Sequence, residues 1–393
     1  MKKSILLMNN TLSTGGISAS MVNAANELSE LYDVSIFCYV PQGTQKSRLS
    51  NRVKVIDSSW RLKALCSKLS ETKKMGVKYY LFKIFARVWS KLFDNRFPIF
   101  LALKHQKHLG YFDLACSYTH EGAKHIEYTG LIRMLLKKVD SPKKLAWIHC
   151  DYNKVKKSNF NNKYFNKVDC MVGVSDSVAQ AFVDNNPKVT TPLATCYNMI
   201  DYKKIYEQAE MSMEFDYPKD GIVCFSACRL SEIKGIFRML TACKEVFKQK
   251  NVCWFIAGDG PEKDKIVEGI QVNNLYNNVF LLGDQVNPFN YMKHSDLYIN
   301  VSYEEAAPLV FLEAKALHIP IFATNTLSAK ELLDADIDFI VENDEESIKK
   351  GFLNAVESKS ELKKRKEKLL PYIGSNQKSI DMFKKWLGDL DEE

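Results

Sequence analysis

Short apolar runs alternate with amphipathic stretches along most of the chain, and their order predicts the fold. Residues 4–8 are apolar, apolar residues at helical spacing follow, and residues 34–40 are apolar again. This order is typical of a βαβ unit, so it predicts a parallel sheet. The helical positions are Ile17, Met21, Val22, Ala25, Leu28 and Leu31. Further strands are predicted at residues 53–56, 112–117, 144–148 and 170–174.

A polar stretch at residues 202–219 separates this series from a second one. The second series predicts strands at residues 222–227, 252–257, 279–282, 296–301, 319–323 and 339–341. We therefore predict two doubly wound, Rossmann-like α/β domains. The first covers residues 1–203 and is completed by a returning helix within residues 375–393, and the second covers residues 204–374. Because open α/β sheets bind ligands at the carboxyl ends of their strands, we expect the ligand site in a cleft between the domains.

Composition adds a prediction about the compartment. The 393 residues are 46% hydrophobic and 26% charged, which is the profile of a globular protein rather than a disordered or multi-spanning one. No run approaches the ~18 apolar residues of a membrane span, and no signal-peptide pattern follows Lys2 and Lys3. The ten cysteines form no CxxC pair, so we expect reduced thiols in a cytoplasmic protein.

The first candidate site is the dipeptide Gly15-Gly16, which lies between the first predicted strand and helix. Paired glycines let the backbone approach an anion, and the N-terminus of the following helix offers unpaired N–H groups. A tight turn would require the same residues, and the GxGxxG and Walker spacings are both absent. An anion site and a plain turn therefore both stay open.

The second candidate site follows the predicted strand at residues 222–227. Arg229 and Lys234 lie five positions apart in the loop between this strand and a helix. Two cations at a strand end can converge on a diphosphate, because the Arg fork makes bidentate contacts and the Lys acts as a point charge. Two solvated basic residues on a loop are the alternative interpretation.

The third candidate site contains two carboxylates eight residues apart. Glu305 lies just past the strand predicted at residues 296–301, and Glu313 lies a little over one turn into a helix that Pro308 can start. The neighbours of Glu313 are almost all apolar, so its charge is costly unless a ligand or a cation satisfies it. A solvated helix glutamate is the alternative.

Taken together, these motifs resemble the retaining glycosyltransferases of family 4, which have the GT-B fold. The resemblance covers nearly the whole chain, and the motifs match in order and spacing. They are residues 198–201, Arg229-Leu230-Ser231 with Lys234-Gly235, residues 257–261, Leu282-Gly283, and Ser302 with Glu305 and Glu313. An ordered set on predicted strand ends is more specific than any single motif.

The resemblance implies a nucleotide-sugar donor bound mainly by the second domain. It would put Arg229 and Lys234 on the diphosphate, Glu313 on the ribose hydroxyls, and Glu305 on the sugar hydroxyls. The backbone of four residues would assist Glu305 there: Ala306, Ala307, Pro308 and Leu309. Ala306-Ala307 stands where the family usually has a glycine and an aromatic residue, which puts the close approach of the sugar in question.

In the first domain, the resemblance implies roles for Gly15, Gly16 and His149. The two glycines would face the phosphates or the acceptor. His149 follows the strand predicted at residues 144–148, and it would contact the donor sugar as a hydrogen-bond donor or acceptor near neutral pH. A hydrogen-bonded core histidine is the alternative for this residue.

Neither predicted domain shows, at a strand end, an aspartate pair of the kind that holds a divalent ion in the other glycosyltransferase fold, so we expect neither a metal ion nor a cofactor. Cleavage of the bond between the sugar and the diphosphate develops negative charge on the leaving phosphate, and Arg229 and Lys234 could stabilise it. The family retains the anomeric configuration through front-face attack, which needs no enzyme nucleophile. The alternatives are a catalytically silent pseudo-transferase that acts as a chaperone or scaffold, and a nucleotide-sugar epimerase of the same fold.

A basic segment at residues 61–107 raises the question of the acceptor. It contains twelve Lys or Arg residues against Glu71 and Asp94. A helical apolar stripe at residues 80–93, flanked by Lys78, Lys83, Arg87 and Lys91, is typical of an interfacial helix on anionic lipid. Packing of the stripe into the domain core is the alternative, and nucleic acid is disfavoured because no recognition motif accompanies the charge. We expect a lipid-linked or glycan acceptor, as in capsule and O-antigen assembly, and a cytoplasmic enzyme that binds the inner face of the plasma membrane.

Overall fold

A computed structural model of the protein describes residues 2–156, 158–213 and 217–390. The chain forms two compact units, one of Met1–Met199 with Asn376–Glu393 and the other of Ile200–Ser375. Residues 214–216 of the predicted polar stretch and residues 391–393 of the predicted returning segment lie outside the described residues. No helix within the described residues is both long and apolar enough to cross a membrane.

The first unit is built on a parallel sheet, as the βαβ pattern predicts. Its described strands are β1 (Ser4–Thr11), β2 (Asp33–Val40), β3 (Lys54–Ile56), β4 (Leu114–Ser117), β5 (Lys144–Ile148), β6 (Cys170–Gly173) and β7 (Leu193–Thr195). They lie in the order β3-β2-β1-β4-β5-β6-β7. The six predicted strands are confirmed, and the short β7 is an addition. The order in which the chain adds strands changes direction between β1 and β4. Doubly wound sheets bind ligands at such a switch point.

Strand β1 runs three residues further than the apolar pattern predicts. The polar residues Asn9 and Thr11 pair with Cys38 and Val40 of β2. Asn9 is buried, and its side chain donates to the Thr11 carbonyl oxygen and accepts from Thr119 Oγ1 at 2.5 Å. These hydrogen bonds satisfy the amide, so a buried polar residue can lengthen the strand.

Eight described helices lie between these strands along the chain. They are α1 (Gly16–Leu28), α2 (Trp60–Cys66), α3 (Leu69–Met75), α4 (Val77–Leu92), α5 (Arg96–Lys104), α6 (Leu131–Lys138), α7 (Asn162–Phe165) and α8 (Asp176–Asn185). The expectation that Leu31 belongs to the buried face of the first helix is wrong, because α1 ends at Leu28 and Leu31 is exposed.

Helix α4 corrects one expectation about the basic segment. Lys83, predicted to flank an apolar stripe at the surface, is buried instead. Its Nζ lies 3.1 Å from Glu127 Oε1 and donates to the Leu65 carbonyl oxygen at 2.6 Å. A buried ammonium is stable only when such partners replace water, so Lys83 holds α4 onto the first unit.

The second unit contains a second parallel sheet, and all six predicted strands are confirmed. They are β8 (Ile222–Ala227), β9 (Val252–Ala257), β10 (Val279–Gly283), β11 (Leu297–Asn300), β12 (Ile321–Thr324) and β13 (Phe339–Val341). Their order within the described residues is β10-β9-β8-β11-β12-β13. Alternate residues of β8 point to opposite faces: Cys224 joins a core with Trp254, while Phe225 joins a second core with Tyr298. Both faces are therefore covered, as a doubly wound sheet requires.

Eight helices flank this sheet in the part of the chain that the structure describes. They are α9 (Tyr202–Ala209), α10 (Ile236–Gln249), α11 (Lys263–Val272), α12 (Phe289–His294), α13 (Leu309–Ala316), α14 (Ala329–Leu332), α15 (Glu345–Ala355) and α16 (Lys359–Leu369). The order of the sheet reverses between β8 and β11, so the second unit also has a switch point.

The last helix returns to the first unit, as predicted. Helix α17 (Gln377–Leu387) packs the ring of Phe383 against Trp147 of β5, with ring centroids 5.7 Å apart. Ser379 Oγ donates to the Tyr197 carbonyl oxygen at 2.8 Å, and Lys3 Nζ donates to the Leu387 carbonyl oxygen. Apolar packing and hydrogen bonds together hold α17 on the first unit.

Candidate active site

Two neighbouring strands of the second unit carry the predicted donor-site residues at their carboxyl ends. After β8 the loop contains Arg229 and then a 3₁₀ turn, Glu232–Lys234, before α10 begins. After β11 a loop that includes Glu305 leads into α13. Because β8 and β11 pair at the switch point, the two loops lie side by side. The topology thus brings together residues that are about 70 positions apart.

Lys234 and Glu305 form an ion pair. Lys234 Nζ lies 2.5 Å from Glu305 Oε1, and both side chains are largely buried. Ser302 Oγ donates to the same oxygen at 2.8 Å. The carbonyl oxygen of Ser302 in turn accepts from Thr324 Oγ1 at 2.6 Å. This chain of hydrogen bonds fixes the carboxylate and places a cation at the strand ends.

Gly235 explains how Lys234 comes so close to β11. Its φ is +66°, and a Cβ built there would collide with the carbonyl oxygen of Val301. A left-handed conformation without a side chain is therefore required between the 3₁₀ turn and α10. This requirement gives a structural reason for the glycine that follows Lys234.

Arg238 is a buried cation that the sequence analysis missed. It lies on α10, and its guanidinium donates to the Val301 carbonyl oxygen at 2.6 Å and to Asn343 Oδ1 at 2.8 Å. The guanidinium carbon also lies 3.8 Å from the ring centroid of Tyr303. Burial lowers the pKa of Arg238. Arg238 thus ties down the first residues of the loop that carries Glu305. A basic residue among the apolar positions of α10 is the signal that could have revealed it.

Arg229 presents a different environment. Its side chain is exposed, and no ion pair or hydrogen bond joins its guanidinium to another described residue. The loop itself is fixed, because the Leu230 N–H donates to the Asp259 carbonyl oxygen and the Ser231 N–H to the Arg229 carbonyl oxygen. An anchored backbone with an available guanidinium suits a residue that receives a ligand anion.

Glu313 lies on α13, and the structure shifts the start of this helix by one residue. Pro308 is the N-cap and Leu309 the first helical residue, so Glu313 is half-buried in the second turn. Tyr298 lies beneath this region, with its hydroxyl hydrogen bonded to the backbone of Ala227. Burial raises the pKa of Tyr298 strongly, and the charges of Glu313 and Glu305 raise it further. Both carboxylates therefore act on one buried phenol.

Ala306 and Ala307 are half-buried in the loop, whereas Pro308 is buried. Leu309 opens α13, where the first N–H groups of a helix have no intrahelical partner. These groups give the loop donors for an oxygen-rich ligand. The placement fits the backbone role that the resemblance implies for residues 306–309.

In the first unit, the other predicted residues follow β1 and β5. Gly15 is the N-cap of α1 with a φ of +150°, a conformation that only glycine adopts readily. A Cβ built at Gly15 or Gly16 would meet open space. A cavity of about 330 Å³ opens beside them, with Asn10, Thr11 and His120 among its lining residues.

His149 lies just past β5, beside a second histidine that the sequence analysis missed. Its ring centroid is 5.3 Å from that of Tyr118. Burial, and then repulsion from His120, lower the pKa of His149 to about 3, and a hydrogen bond to the Tyr118 backbone opposes this. Burial also lowers the pKa of His120. Both imidazoles are therefore neutral near pH 7, and His149 Nε2 and His120 Nδ1 are buried without a hydrogen-bond partner among the described residues.

Within residues 2–156, 158–213 and 217–390, no three His, Cys, Asp or Glu side chains come together as a group that could hold a metal ion. The absence of a metal requirement, inferred from the lack of an aspartate pair at a strand end, stays a prediction. All ten cysteines are free thiols, and six of them are buried. Burial raises the pKa of all six, to about 11 for Cys170 and about 12 for Cys196.

The comparison with known protein families gives a match within the second unit. Residues 208–369 match the family model for glycosyl transferases group 1. This range runs from the end of α9 to the end of α16, so it includes both loops at the β8 and β11 strand ends. The matched residues cover about two fifths of the chain.

Curated relatives extend this finding. An uncharacterized glycosyltransferase of Methanocaldococcus jannaschii is 32% identical over 168 residues, 42% of this chain and 41% of the relative. The O-antigen biosynthesis glycosyltransferase WclY of Escherichia coli is 28% identical over 140 residues, 35% of this chain and 39% of the relative. A Campylobacter jejuni enzyme, named as a diphospho-undecaprenol 4-alpha-N-acetylgalactosaminyltransferase, is 28% identical over 201 residues, 49% of this chain and 53% of the relative. The matches span about two fifths to one half of these relatives.

Solved structures resemble the whole chain. A glycosyltransferase from Rickettsia africae has a TM-score of 0.67 at 16% identity and covers 99% of this chain and 100% of its own. Anabaena HepE in complex with UDP has a TM-score of 0.63 at 15% identity with the same coverage. At such identities the likeness shows the fold alone. The fold is α/β with two Rossmann-like units, which is the GT-B class.

Proposed function

We propose that this protein is a retaining glycosyltransferase that moves a sugar from a UDP-sugar to a lipid-linked or glycan acceptor during assembly of a surface polysaccharide. The observation that carries the proposal is the pairing of Lys234 with Glu305 next to the exposed Arg229, at the switch point of the second sheet. The match of residues 208–369 to glycosyl transferases group 1 supports it.

The donor diphosphate would lie between the guanidinium of Arg229 and the ammonium of Lys234. Negative charge grows on the leaving phosphate as the bond to the sugar breaks, and fixed cations lower the energy of that state. Lys234 is already held in place by Glu305, so little reorganisation is needed. Glu313 would accept hydrogen bonds from the ribose hydroxyls.

The sugar would lie against Glu305 and the backbone of Ala306, Ala307, Pro308 and Leu309. Ser302 and Lys234 occupy Glu305 Oε1, which leaves Oε2 to accept from sugar hydroxyls. Retention would follow from front-face attack, in which the acceptor hydroxyl bonds to the anomeric carbon and the leaving phosphate takes its proton. We propose a hexose or an N-acetylhexosamine as the transferred sugar, and no metal ion or cofactor in the step.

The acceptor would bind the first unit. Gly15 and Gly16 leave open space at the N-terminus of α1. His149 would contact the donor sugar through Nε2, which has no hydrogen-bond partner among the described residues. The names of the E. coli and C. jejuni relatives support a glycan or lipid-linked acceptor. We place the enzyme in the cytoplasm at the inner face of the plasma membrane.

The test is donor binding and transfer. Saturation-transfer NMR against a panel of nucleotide sugars should identify a UDP-sugar, and NMR of the product should show a retained anomeric configuration. Glu313→Ala should abolish donor binding while the fold stays intact, and Arg229→Lys should weaken it because an ammonium cannot make the bidentate contact. Glu304→Ala, at an exposed neighbouring carboxylate, is the matched control. Wild-type donor affinity in Glu313→Ala would refute the assignment, and binding without turnover would favour a pseudo-transferase.

A further inference from the structure

Helix α4 buries small and polar residues on one side and exposes apolar residues on the opposite side, which is the reverse of the usual amphipathic packing. The buried residues of α4 are Lys83, Ala86 and Ser90. Val77, Leu81, Val88 and Leu92 are between 50% and 74% exposed. At ~100° per residue, the four apolar residues share a ~60° arc that lies opposite the three buried ones. The exposed stripe of Val77, Leu81, Val88 and Leu92 therefore does not enter the core of the first unit, whereas Ile84, Phe85 and Trp89 of the predicted stripe are half-buried.

The apolar surface continues from α4 towards α5. Phe93 and Phe97 are exposed, and Trp89 contacts both, with ring centroids 4.8 Å and 4.9 Å away. Large exposed apolar surfaces are uncommon on monomeric proteins and usually indicate an interaction site. A Trp ring beside aliphatic residues is typical of the boundary between lipid and water.

The charges around this surface are positive and largely uncompensated. Arg87 and Lys91 are exposed beside the stripe, and neither forms an ion pair with another described residue. The two acidic residues of the segment are already engaged: Asp94 pairs with Arg96, and Glu71 accepts from the Lys68 backbone N–H. A positive rim around an apolar stripe is complementary to an anionic bilayer.

We propose that α4 and the start of α5 form a membrane-docking surface, in which the stripe Val77, Leu81, Val88 and Leu92 enters the headgroup boundary of an anionic bilayer. Lys83 is the anchor of this surface and not a lipid ligand, because Glu127 and the Leu65 carbonyl hold it inside the unit. The inference rests on the membrane location proposed above and adds the surface that would mediate it. Docking requires neither donor nor acceptor, so its failure would leave the proposed transferase activity untouched.

Co-sedimentation of the full-length protein with phosphatidylcholine vesicles, with and without phosphatidylglycerol, tests the proposal. Binding should require phosphatidylglycerol and should fall as added salt shortens the Debye length towards ~3 Å. Leu81→Ser, Val88→Ser and Leu92→Ser combined should lower the partition coefficient at least ~100-fold. Arg87→Gln with Lys91→Gln should lower it about 30-fold.

Two matched controls separate this surface from exposed residues in general. Val272→Ser, Val286→Ser and Ile373→Ser remove apolar residues of the second unit that are at least as exposed, and Lys363→Gln with Lys364→Gln removes two exposed charges. Both should leave vesicle binding unchanged, and all variants should keep the wild-type melting temperature. Equal binding to neutral vesicles, or unchanged binding of the stripe variant, would overturn the proposal. Self-association of the wild type in sedimentation equilibrium would also overturn it, if the stripe variant abolished that self-association and vesicle binding were absent. A second copy of the chain would then be the partner.

Discussion

The ammonium of Lys234 lies 2.5 Å from the carboxylate of Glu305, although 71 positions separate the two residues in the chain. Each residue follows a different strand, and the pairing of β8 with β11 brings them together. Ser302 supports the same carboxylate oxygen. The pair links the loop proposed to bind the diphosphate with the loop proposed to bind the sugar.

Disruption of this pair should impair catalysis more than stability. Lys234→Met removes a fixed cation from the proposed leaving group, so kcat/KM should fall by roughly 10²- to 10³-fold. Glu305→Gln keeps the Ser302 hydrogen bond but loses the charge, and a double-mutant cycle with Lys234→Met should show strong coupling. Lys350→Met, which breaks an exposed ion pair with Glu346, should leave kinetics unchanged. Additive effects of the two site substitutions would contradict this view of the pair.

Arg238 should act as a positioning residue for the Glu305 loop. Arg238→Met loses the hydrogen bonds to Val301 and Asn343 and leaves a buried carbonyl unpaired, which should cost about 1 to 3 kcal/mol of unfolding free energy. The KM for the donor should rise because the loop is less ordered. Tyr303→Phe keeps the ring under the guanidinium and should behave as wild type, whereas Tyr303→Ala should not. Loss of stability with unchanged KM would assign Arg238 a purely structural role.

Transfer should survive chelation. If Arg229 and Lys234 neutralise the diphosphate, activity measured with EDTA should equal activity without it. Added Mg²⁺ or Mn²⁺ should then have little effect. Complete loss of activity with EDTA, followed by recovery on metal addition, would show that a bound cation carries the charge of the leaving group instead.

The neutral imidazole of His149 should make the first unit sensitive to acid. Its pKa of about 3 lies below the ordinary value of 6.5, so the unfolded chain binds the proton first. The stabilising contribution is complete above pH 6.5 and is lost as the pH falls from 6.5 towards 3. The unfolding free energy should therefore fall by up to ~1.4 kcal/mol per pH unit in this window. His149→Gln should reduce that slope in urea titrations, whereas His108→Gln, at an exposed histidine, should not. Identical slopes for wild type and His149→Gln would refute the assignment.

The returning helix should stabilise the first unit. Phe383 is buried against Trp147, so Phe383→Ala should cost about 3 to 5 kcal/mol of unfolding free energy. Deletion from Gln377 onwards should lower the melting temperature further, because Ser379 and Trp386 also contact this unit. Leu390→Ala, at an exposed position after the helix, should have little effect. An unchanged melting temperature in the deletion variant would mean that α17 is dispensable.

The sequence by itself determined twelve of the thirteen described strands and the order in which helices follow them, but it did not predict the short β7. The strands at residues 222–227 and 252–257 were predicted with their observed ends, because a strand buried on both faces needs a short continuous apolar run. This signal comes from residues that are adjacent in the chain, so it can be recognised without knowing which strands pair in the sheet. The predicted extension of the first helix to Leu31 was wrong, since spacing alone does not show where burial ends.

Only the tertiary structure decided which charged residues are buried and which apolar residues are exposed. Lys83 and Arg238 are buried because Glu127 and the Val301 carbonyl, distant in sequence, compensate their desolvation. The stripe of α4 has the same helical period whether it faces the core or the solvent, and the structure shows it exposed on the side opposite the buried Lys83, Ala86 and Ser90. Likewise, sheet pairing decides that Lys234 meets Glu305. The free energy of a charge depends on the groups that surround it in space, and the fold brings these together from distant parts of the chain.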